Sequence, residues 1–185
     1  MFRSLAGEVS IHPLRDAVLD RVSREARALL LDPPVATAWI DARLINDVYE
    51  VLRALLGDRE LRKLNNDAVK RGVSPLVSAA VERLIRVFGT SPAMLLTKFD
   101  RIAGTTSRGV VYRYEPLTDT SGTFDIEYPA LRDVPRGPFV ATGGALELIF
   151  SICDMEGTIG GITYVPNGRN NRARYEVTWS GRAAR

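Results

Sequence analysis

The sequence predicts an α+β fold in which a helical N-terminal half is packed with a small antiparallel four-stranded sheet, and a late helix crosses that sheet. Three observations predict this class. Apolar residues recur every three or four positions over 14–100, which is the period of helices. After Gly104 the period changes to two, which is typical of strands. Helical spacing then returns from Ala145 to Cys153, between two pairs of alternating runs.

The length of 185 residues fits one domain, 1–185, with a helical part at 14–100 and a sheet part at 109–180. No apolar run approaches the ~20 residues that span a bilayer. We expect a cytoplasmic protein, because Glu8 and His12 interrupt any secretory apolar stretch and the lone Cys153 suits a reducing compartment. The net charge of +3 is too small to indicate a nucleic-acid partner by itself.

Five helices are expected in the first half. The first runs from Leu14 to about Leu31 and follows a mobile N-terminal segment that contains His12. The second has the clearest apolar stripe, from Thr37 to a stop at Gly57. The remaining three are expected at 61–72, 74–89 and 91–99, with proline at the start of the last two.

Two strand pairs are expected in the second half. The first pairs Val111–Glu115 with Thr123–Tyr128, and the second pairs Ile162–Val165 with Ala173–Trp179. Between the pairs, the prolines of 129–138 exclude regular structure until a helix starts at Gly143, and the resulting loop is a candidate functional segment. A glycine-rich turn is expected after that helix, at Gly157, Gly160 and Gly161.

The reactive side chains are few. One histidine and one cysteine cannot form the usual tetrahedral zinc site, and His12 is the only imidazole that a catalytic triad could use. Cys153 lies on the apolar helix face and is expected to be a small buried hydrophobic residue. Asp125 and Glu127 share a strand face and are expected to be exposed charges. We therefore expect no catalytic residue, no metal and no cofactor.

A basic loop over 166–174 provides an alternative. Its arginines, Arg169, Arg172 and Arg174, precede aromatic residues, a combination typical of nucleic-acid-binding surfaces. Strand alternation, however, places Tyr175, Val177 and Trp179 together on one face, which is expected to point to the core. At Gly143-Gly144, a tight helix-on-sheet contact is favoured over an anion site.

The layout resembles a set of uncharacterised paralogous proteins abundant in myxobacteria. The likeness rests on Asp32-Pro-Pro-Val-Ala-Thr-Ala-Trp39, Phe88-Gly-Thr-Ser-Pro92, Phe139 to Gly144, and the closing Tyr175-Glu-Val-Thr-Trp179. More distantly, it is similar to the superfamily of ligand-binding domains that includes vinyl-reductase-type sensors, haem-based nitric-oxide sensors and vesicle-tethering subunits. That resemblance implies an apolar cavity between a helical layer and an antiparallel sheet.

The chain departs from this superfamily in two ways. It has no histidine in the helical region where a haem ligand would be expected, and it lacks the multiple cysteines of the vinyl-reductase-type tail. Both departures argue against a haem or metal sensor.

Aromatic residues are expected in the core first and around such a cavity second. The residues predicted to line an apolar pocket between helices and sheet are Trp39, Tyr49, Phe99, Phe139 and Phe150. The sequence thus predicts a non-enzymatic cytoplasmic sensor or regulatory domain that binds a small apolar ligand or a protein partner, with homodimers as an option. A nucleic-acid-associated regulator and an enzyme of an unfamiliar kind are the less favoured alternatives.

Overall fold

The computed structural model describes residues 2–35, 38–72, 91–104, 107–165 and 168–182. The expected α+β class is confirmed, with helices in the N-terminal half, an antiparallel sheet and a late helix. The chain divides into two compact units, Met1–Val73 with Pro135–Ala145 (the helical unit) and Ser74–Val134 with Leu146–Arg185 (the sheet unit). A single domain over 1–185 stays a prediction.

The helical unit begins with α1 (Phe2–Ile11), α2 (Arg15–Leu19) and α3 (Arg24–Leu31). The expectation of a mobile N-terminal segment was wrong, because α1 buries Leu5 and Val9 and packs against α3. The single helix expected over 14–31 is divided in two. The division falls at Ser23, whose hydroxyl accepts a hydrogen bond from the Ala26 N–H and so caps α3.

The long helix α4 (Ala42–Gly72) contains the stop expected at Gly57. Gly57 has φ 81° and ψ 170°, a conformation that side-chain-bearing residues rarely adopt, so the helical geometry is interrupted there and resumes. The second half carries the third expected helix, with Leu61, Leu64 and Ala68 buried. Thr37, the expected start of the second helix, lies outside the described residues, and so does the helix expected at 74–89.

Within the described residues the sheet has five strands, where four were expected: β1 (Val111–Thr118), β2 (Ser121–Glu127), β3 (Met155–Ile159), β4 (Thr163–Tyr164) and β5 (Arg172–Arg182). They are arranged in the order β1-β2-β5-β3, with β4 also paired to β5, and all pairs are antiparallel. The added strand β3 contains Gly157, which the sequence assigned to a turn. A side chain at Gly157 would collide with the ring of Phe150, so the glycine serves helix–strand packing in place of a turn.

The two faces of the sheet differ as the alternation predicts. One face of β2 and β5 buries Phe124, Ile126, Tyr175 and Val177, each with no exposed surface. This confirms that the alternating aromatic residues of β5 point to a core. Two short helices of the sheet unit, α5 (Pro92–Thr97) and α6 (Phe99–Ala103), pack against β1. The Asp100 carboxylate accepts a hydrogen bond from the Tyr112 N–H of β1 at 3.0 Å.

The proline-rich stretch before the late helix is more ordered than expected. Helix α7 (Arg136–Cys153) starts well before Gly143, because Pro138 falls in its first turn, where a backbone N–H has no intrahelical partner. The preceding segment is tied to the end of the loop before β5. The Asn171 side chain donates to the carbonyls of Tyr128 and Leu131, at 3.1 and 2.9 Å.

Within the helical unit, the first part of α7 approaches the backbone of α4 at two glycines. A side chain at Gly137 would collide with the Tyr49 backbone, and one at Gly144 would collide with the Arg62 carbonyl oxygen. The two glycines are two helical turns apart and therefore share a face of α7. The tight contact expected at Gly143-Gly144 thus exists at Gly144 and is made with a helix; the expectation that it is made with the sheet was wrong.

We predict that Gly144→Ala lowers the free energy of unfolding by about 1–3 kcal/mol, because the added methyl group must displace a backbone carbonyl. The matched control is Gly7→Ala in α1, where a methyl group meets nothing within 4 Å. That change should leave stability unchanged or raise it by up to about 1 kcal/mol, through helix propensity. Urea unfolding followed by circular dichroism measures both, and equal effects at the two sites would contradict the packing argument.

Candidate ligand-binding site

The five residues predicted to line a pocket occupy different environments. Phe139 and Phe150 are buried on α7, and Tyr49 is buried on α4. Phe99 is half-buried at the start of α6. Trp39 is 54% exposed, so its expected place in a core was wrong; it lies in the connection before α4, outside any regular element. Trp39, Tyr49 and Phe139 belong to the helical unit, whereas Phe99 and Phe150 belong to the sheet unit.

In the helical unit, Tyr49 forms part of a buried polar chain. Its hydroxyl donates to the side-chain oxygen of Asn65 at 2.7 Å, and the Asn65 amide donates to the Ala141 carbonyl at 2.7 Å. Asn65 is 2% exposed, and both of its side-chain polar atoms are satisfied by these contacts. This series of hydrogen bonds fixes the Tyr49 ring and connects α4 to α7.

A charged cluster surrounds the first turn of α7. The Glu50 carboxylate accepts from the Gly137 N–H at 2.7 Å and from Arg53 at 2.7 Å, and Arg136 pairs with Asp58 at 3.0 Å. Burial alone would raise the pKa of Glu50, but the hydrogen bonds from Arg53 and Gly137 outweigh it and lower that pKa. A carboxylate at a helix N-terminus satisfies an unpaired N–H and interacts favourably with the helix dipole. The cluster therefore positions α7 and offers no free acid or base.

The sheet unit contains a cluster of aromatic rings. The Phe99 ring meets Tyr112 at a centroid distance of 5.0 Å and Phe124 at 5.3 Å, both edge to face. The Tyr114 ring lies over Gly122, so a side chain at position 122 would collide with that ring. The centroids of the Tyr114 and Trp179 rings are 6.5 Å apart. Burial raises the pKa of the Tyr112 and Tyr114 phenols, so both hydroxyls are neutral at physiological pH. The cluster offers apolar surface, whereas its hydroxyl groups are used within the protein: the Tyr114 hydroxyl donates to the Ser121 carbonyl at 3.4 Å and the Tyr112 hydroxyl is hydrogen-bonded to Ser107.

Cys153 is buried at the end of α7, as the sequence predicts. Burial raises the pKa of its thiol to about 11. The thiolate, which is the nucleophilic form, is therefore scarce near neutral pH.

Asp125 differs from its expected role as an exposed charge. It is 7% exposed, because two guanidinium groups of β5 cover it: Arg172 at 2.5 Å and Arg174 at 2.6 Å. Burial alone would raise the pKa of Asp125, but the hydrogen bonds and charges of Arg174 and Arg172 outweigh it, and the pKa is lowered. Glu127, on the same face, pairs with Arg113 at 3.5 Å.

The predicted nucleic-acid surface is largely occupied by these ion pairs. Arg172 and Arg174 direct their charge to Asp125, and the buried Nε of Arg172 has no hydrogen-bond partner in the part of the chain that the structure describes. Arg169 is exposed, and residues 166 and 167 of the predicted loop lie outside the described residues. The geometry does not support the nucleic-acid alternative.

His12 is half-buried in the turn between α1 and α2. Its Nδ1 accepts a hydrogen bond from the Leu14 N–H at 3.1 Å. Over the described residues, no group of three or more His, Cys, Asp or Glu side chains is placed to hold a metal ion. None of the helices that the structure describes is long and apolar enough to cross a membrane.

Sequence reasoning missed Asn65 and Tyr112. Asn65 lies on the buried stripe of α4, four residues after Leu61 and three before Ala68, and a polar residue on an apolar stripe is the signal that could have identified it. Tyr112 alternates with exposed Arg113 on β1, and this pattern marks it as a partner of the Phe124 face.

No family model matches this sequence, and a search of curated proteins finds no match. Solved structures do match. An unliganded Fe(II) H-NOX protein from K. algicida has a TM-score of 0.68 at 10% identity, over 99% of this chain and 96% of that chain. A mutant of the T. Tengcongensis H-NOX has a TM-score of 0.58 at 13% identity, over 100% of both chains.

A third similar structure is an oxygen-binding H-NOX domain related to soluble guanylate cyclases, with a TM-score of 0.55 at 11% identity, over 97% of this chain and 93% of that chain. At these identities the likeness establishes a shared fold. The resemblance to haem nitric-oxide sensors is thus confirmed for the fold, whereas the resemblance to the myxobacterial paralogues stays a prediction.

We predict that Asp125→Asn lowers the free energy of unfolding at pH 7 by about 1–3 kcal/mol, because it leaves two partly exposed arginines without their counter-charge. The folded-state pKa of Asp125 lies below its unfolded value. Its stabilisation is therefore complete above pH about 4 and is lost as the pH falls through the folded-state pKa. Urea midpoints from pH 7 to acid should fall less steeply in Asp125→Asn than in the parent. Asp119→Asn, in the exposed β1–β2 turn, should keep the parent slope.

Proposed function

We propose that this chain is a regulatory domain without enzymatic activity that binds a small apolar ligand. The observation that carries the proposal is the fold: H-NOX domains match almost the whole chain, and one of them is described as oxygen-binding. H-NOX domains act as sensors. A fold used for small-ligand sensing supports the same broad role here. Which ligand binds depends on the residues of the site and not on the fold.

The aromatic residues of the sheet unit support an apolar ligand. Phe99 is half-buried and packs its ring against Tyr112 and Phe124, so part of an apolar surface remains accessible on a rigid support. Small-molecule sites are lined predominantly by such apolar and aromatic surfaces. We therefore retain Phe99 as the leading residue of a proposed site in the sheet unit, while Trp39, Tyr49, Phe139 and Phe150 stay pocket residues predicted from the sequence.

A protein partner is the second candidate. It is favoured by three exposed apolar side chains in one short stretch of the helical unit, Leu31 (53%), Val35 (67%) and Trp39 (54%). Exposed apolar residues close together are typical of interaction surfaces. The cytoplasmic location and homodimer formation stay predictions from the sequence.

The uncharged apolar dye N-phenyl-1-naphthylamine tests ligand binding. We expect saturable binding to the full chain that Phe99→Ala weakens about tenfold, the change for ~1.4 kcal/mol of lost contact. The matched control is Leu117→Ala, which removes a side chain that is 65% exposed and outside the predicted site, and it should keep the parent affinity. Circular dichroism checks that both variants are folded. Non-saturable binding, or equal losses in the two variants, would contradict the proposal.

The two tryptophans allow a test of Trp39 itself. In a Trp179→Phe variant, fluorescence reports on Trp39 alone, which is 54% exposed. We expect decanol, a non-absorbing apolar ligand, to protect Trp39 from acrylamide quenching. In the Trp39→Phe variant the remaining Trp179, 8% exposed, should show no such protection. If decanol displaces the dye but quenching of Trp39 does not change, Trp39 does not belong to the site.

A further inference from the structure

The similar structures raise the question of haem, because the K. algicida protein is described as an Fe(II) protein. A further solved structure, with a TM-score of 0.56 at 9% identity over 96% of this chain, is described by its haem redox potential. Whether haem fits this chain depends on its donor set. The sequence supplies one imidazole and one thiol, His12 and Cys153. Each can be tested against the protonation state that iron requires.

His12 has the wrong hydrogen bond for an iron ligand. Its Nδ1 accepts the Leu14 N–H, so the neutral ring carries its proton on Nε2. A ligating histidine has the opposite pattern, with one ring nitrogen bound to the metal and the other donating its N–H to an acceptor. Binding iron through Nε2 would place a proton on Nδ1, facing the Leu14 N–H. Binding it through Nδ1 would remove the Leu14 bond, which holds His12 within the α1–α2 turn.

Cys153 does not supply an iron ligand in place of His12. Haem iron takes cysteine as the thiolate, whereas burial keeps this thiol protonated at neutral pH. Helix α7 continues as far as Cys153, and its side chain is 3% exposed. The residues present therefore do not fit haem held by histidine or cysteine.

We infer that the ligand of this domain is a metal-free apolar organic molecule, held by aromatic packing, in a fold that other proteins use with haem. This inference rests on the proposed ligand-binding function and names its ligand class. The half-buried ring of Phe99, held in place by Tyr112 and Phe124, provides the packing surface, and His12 accepts the Leu14 N–H within the α1–α2 turn.

The test is to express the full chain with added 5-aminolaevulinate and iron, and then to titrate the purified protein with haemin beside His12→Ala and Cys153→Ser. We expect iron well below one per chain by elemental analysis, no shifted Soret band, and the same weak, non-saturable haemin titration for all three proteins. His12→Ala should also keep the parent affinity for N-phenyl-1-naphthylamine.

One haem per chain would overturn this inference, whether or not either substitution removes it, and would leave the ligand-binding function in place. Failure of the proposed function is a separate result, namely the absence of saturable dye binding in a chain that also binds no haem. Native mass spectrometry of the same preparation supports the inference when it finds an organic adduct without iron, and opposes it when the adduct has the mass of haem.

Discussion

The backbone approach of α7 to α4 is the constraint on which the helical unit depends. Packed helices usually lie 8–10 Å apart because side chains separate them. At Gly137 and Gly144 no side chain intervenes, and the interruption at Gly57 lies between the two points of α4 that they meet, Tyr49 and Arg62. The close approach brings the Asn65 amide to the Ala141 carbonyl and the Glu50 carboxylate to the Gly137 N–H. The Gly137 N–H, which lies in the first turn of α7 and has no intrahelical partner, is thereby satisfied.

The constraint in the sheet unit is different, because its strands carry apolar residues on one face and charged residues on the other. On the charged face, the pairing register places Asp125 of β2 directly between Arg113 of β1 and Arg174 of β5. The carboxylate loses most of its water but gains two guanidinium groups, so its charge is compensated locally. Two of the three arginines of the basic loop, Arg172 and Arg174, therefore share one carboxylate, which offsets one of their two positive charges.

Most elements could be predicted from periodicity, and the errors have physical causes. The apolar stripe of α4 and the alternation of β1, β2 and β5 are long enough to identify helix and strand. The start of α7 was missed because prolines were taken as a barrier to regular structure, although a helix accepts proline in its first turn. Strand β3 was missed because Gly157 suggests a turn, and only the position of the Phe150 ring explains the glycine.

The site residues were harder to predict, because burial and pairing depend on contacts distant in the sequence. Phe150 and Phe139 were correctly expected to be buried. Trp39 was wrongly expected to be buried, because composition does not reveal which side of a connection faces water. Asp125 acquires its partners from residues 47 and 49 positions away, a distance that no local motif encodes. The hydrogen bonding of the His12 ring also cannot be predicted from the sequence, because it depends on which of the two ring nitrogens accepts the Leu14 N–H.

The hydrogen bond from the Tyr112 N–H to Asp100 bears on how this chain avoids aggregation. In the described part of the chain, strand β1 ends one side of the sheet order, and an unpaired strand edge is a template for recruiting strands from other molecules. The Tyr112 N–H points away from β2, and alternate residues along a strand direct their backbone groups the same way, so Pro116 also falls on that edge and has no N–H to offer. Of the backbone donors on this edge, the Tyr112 N–H is occupied by the Asp100 carboxylate and the one at Pro116 is missing. The edge is thus protected against fibril-like growth by Asp100 and Pro116, neither of which belongs to the proposed ligand site.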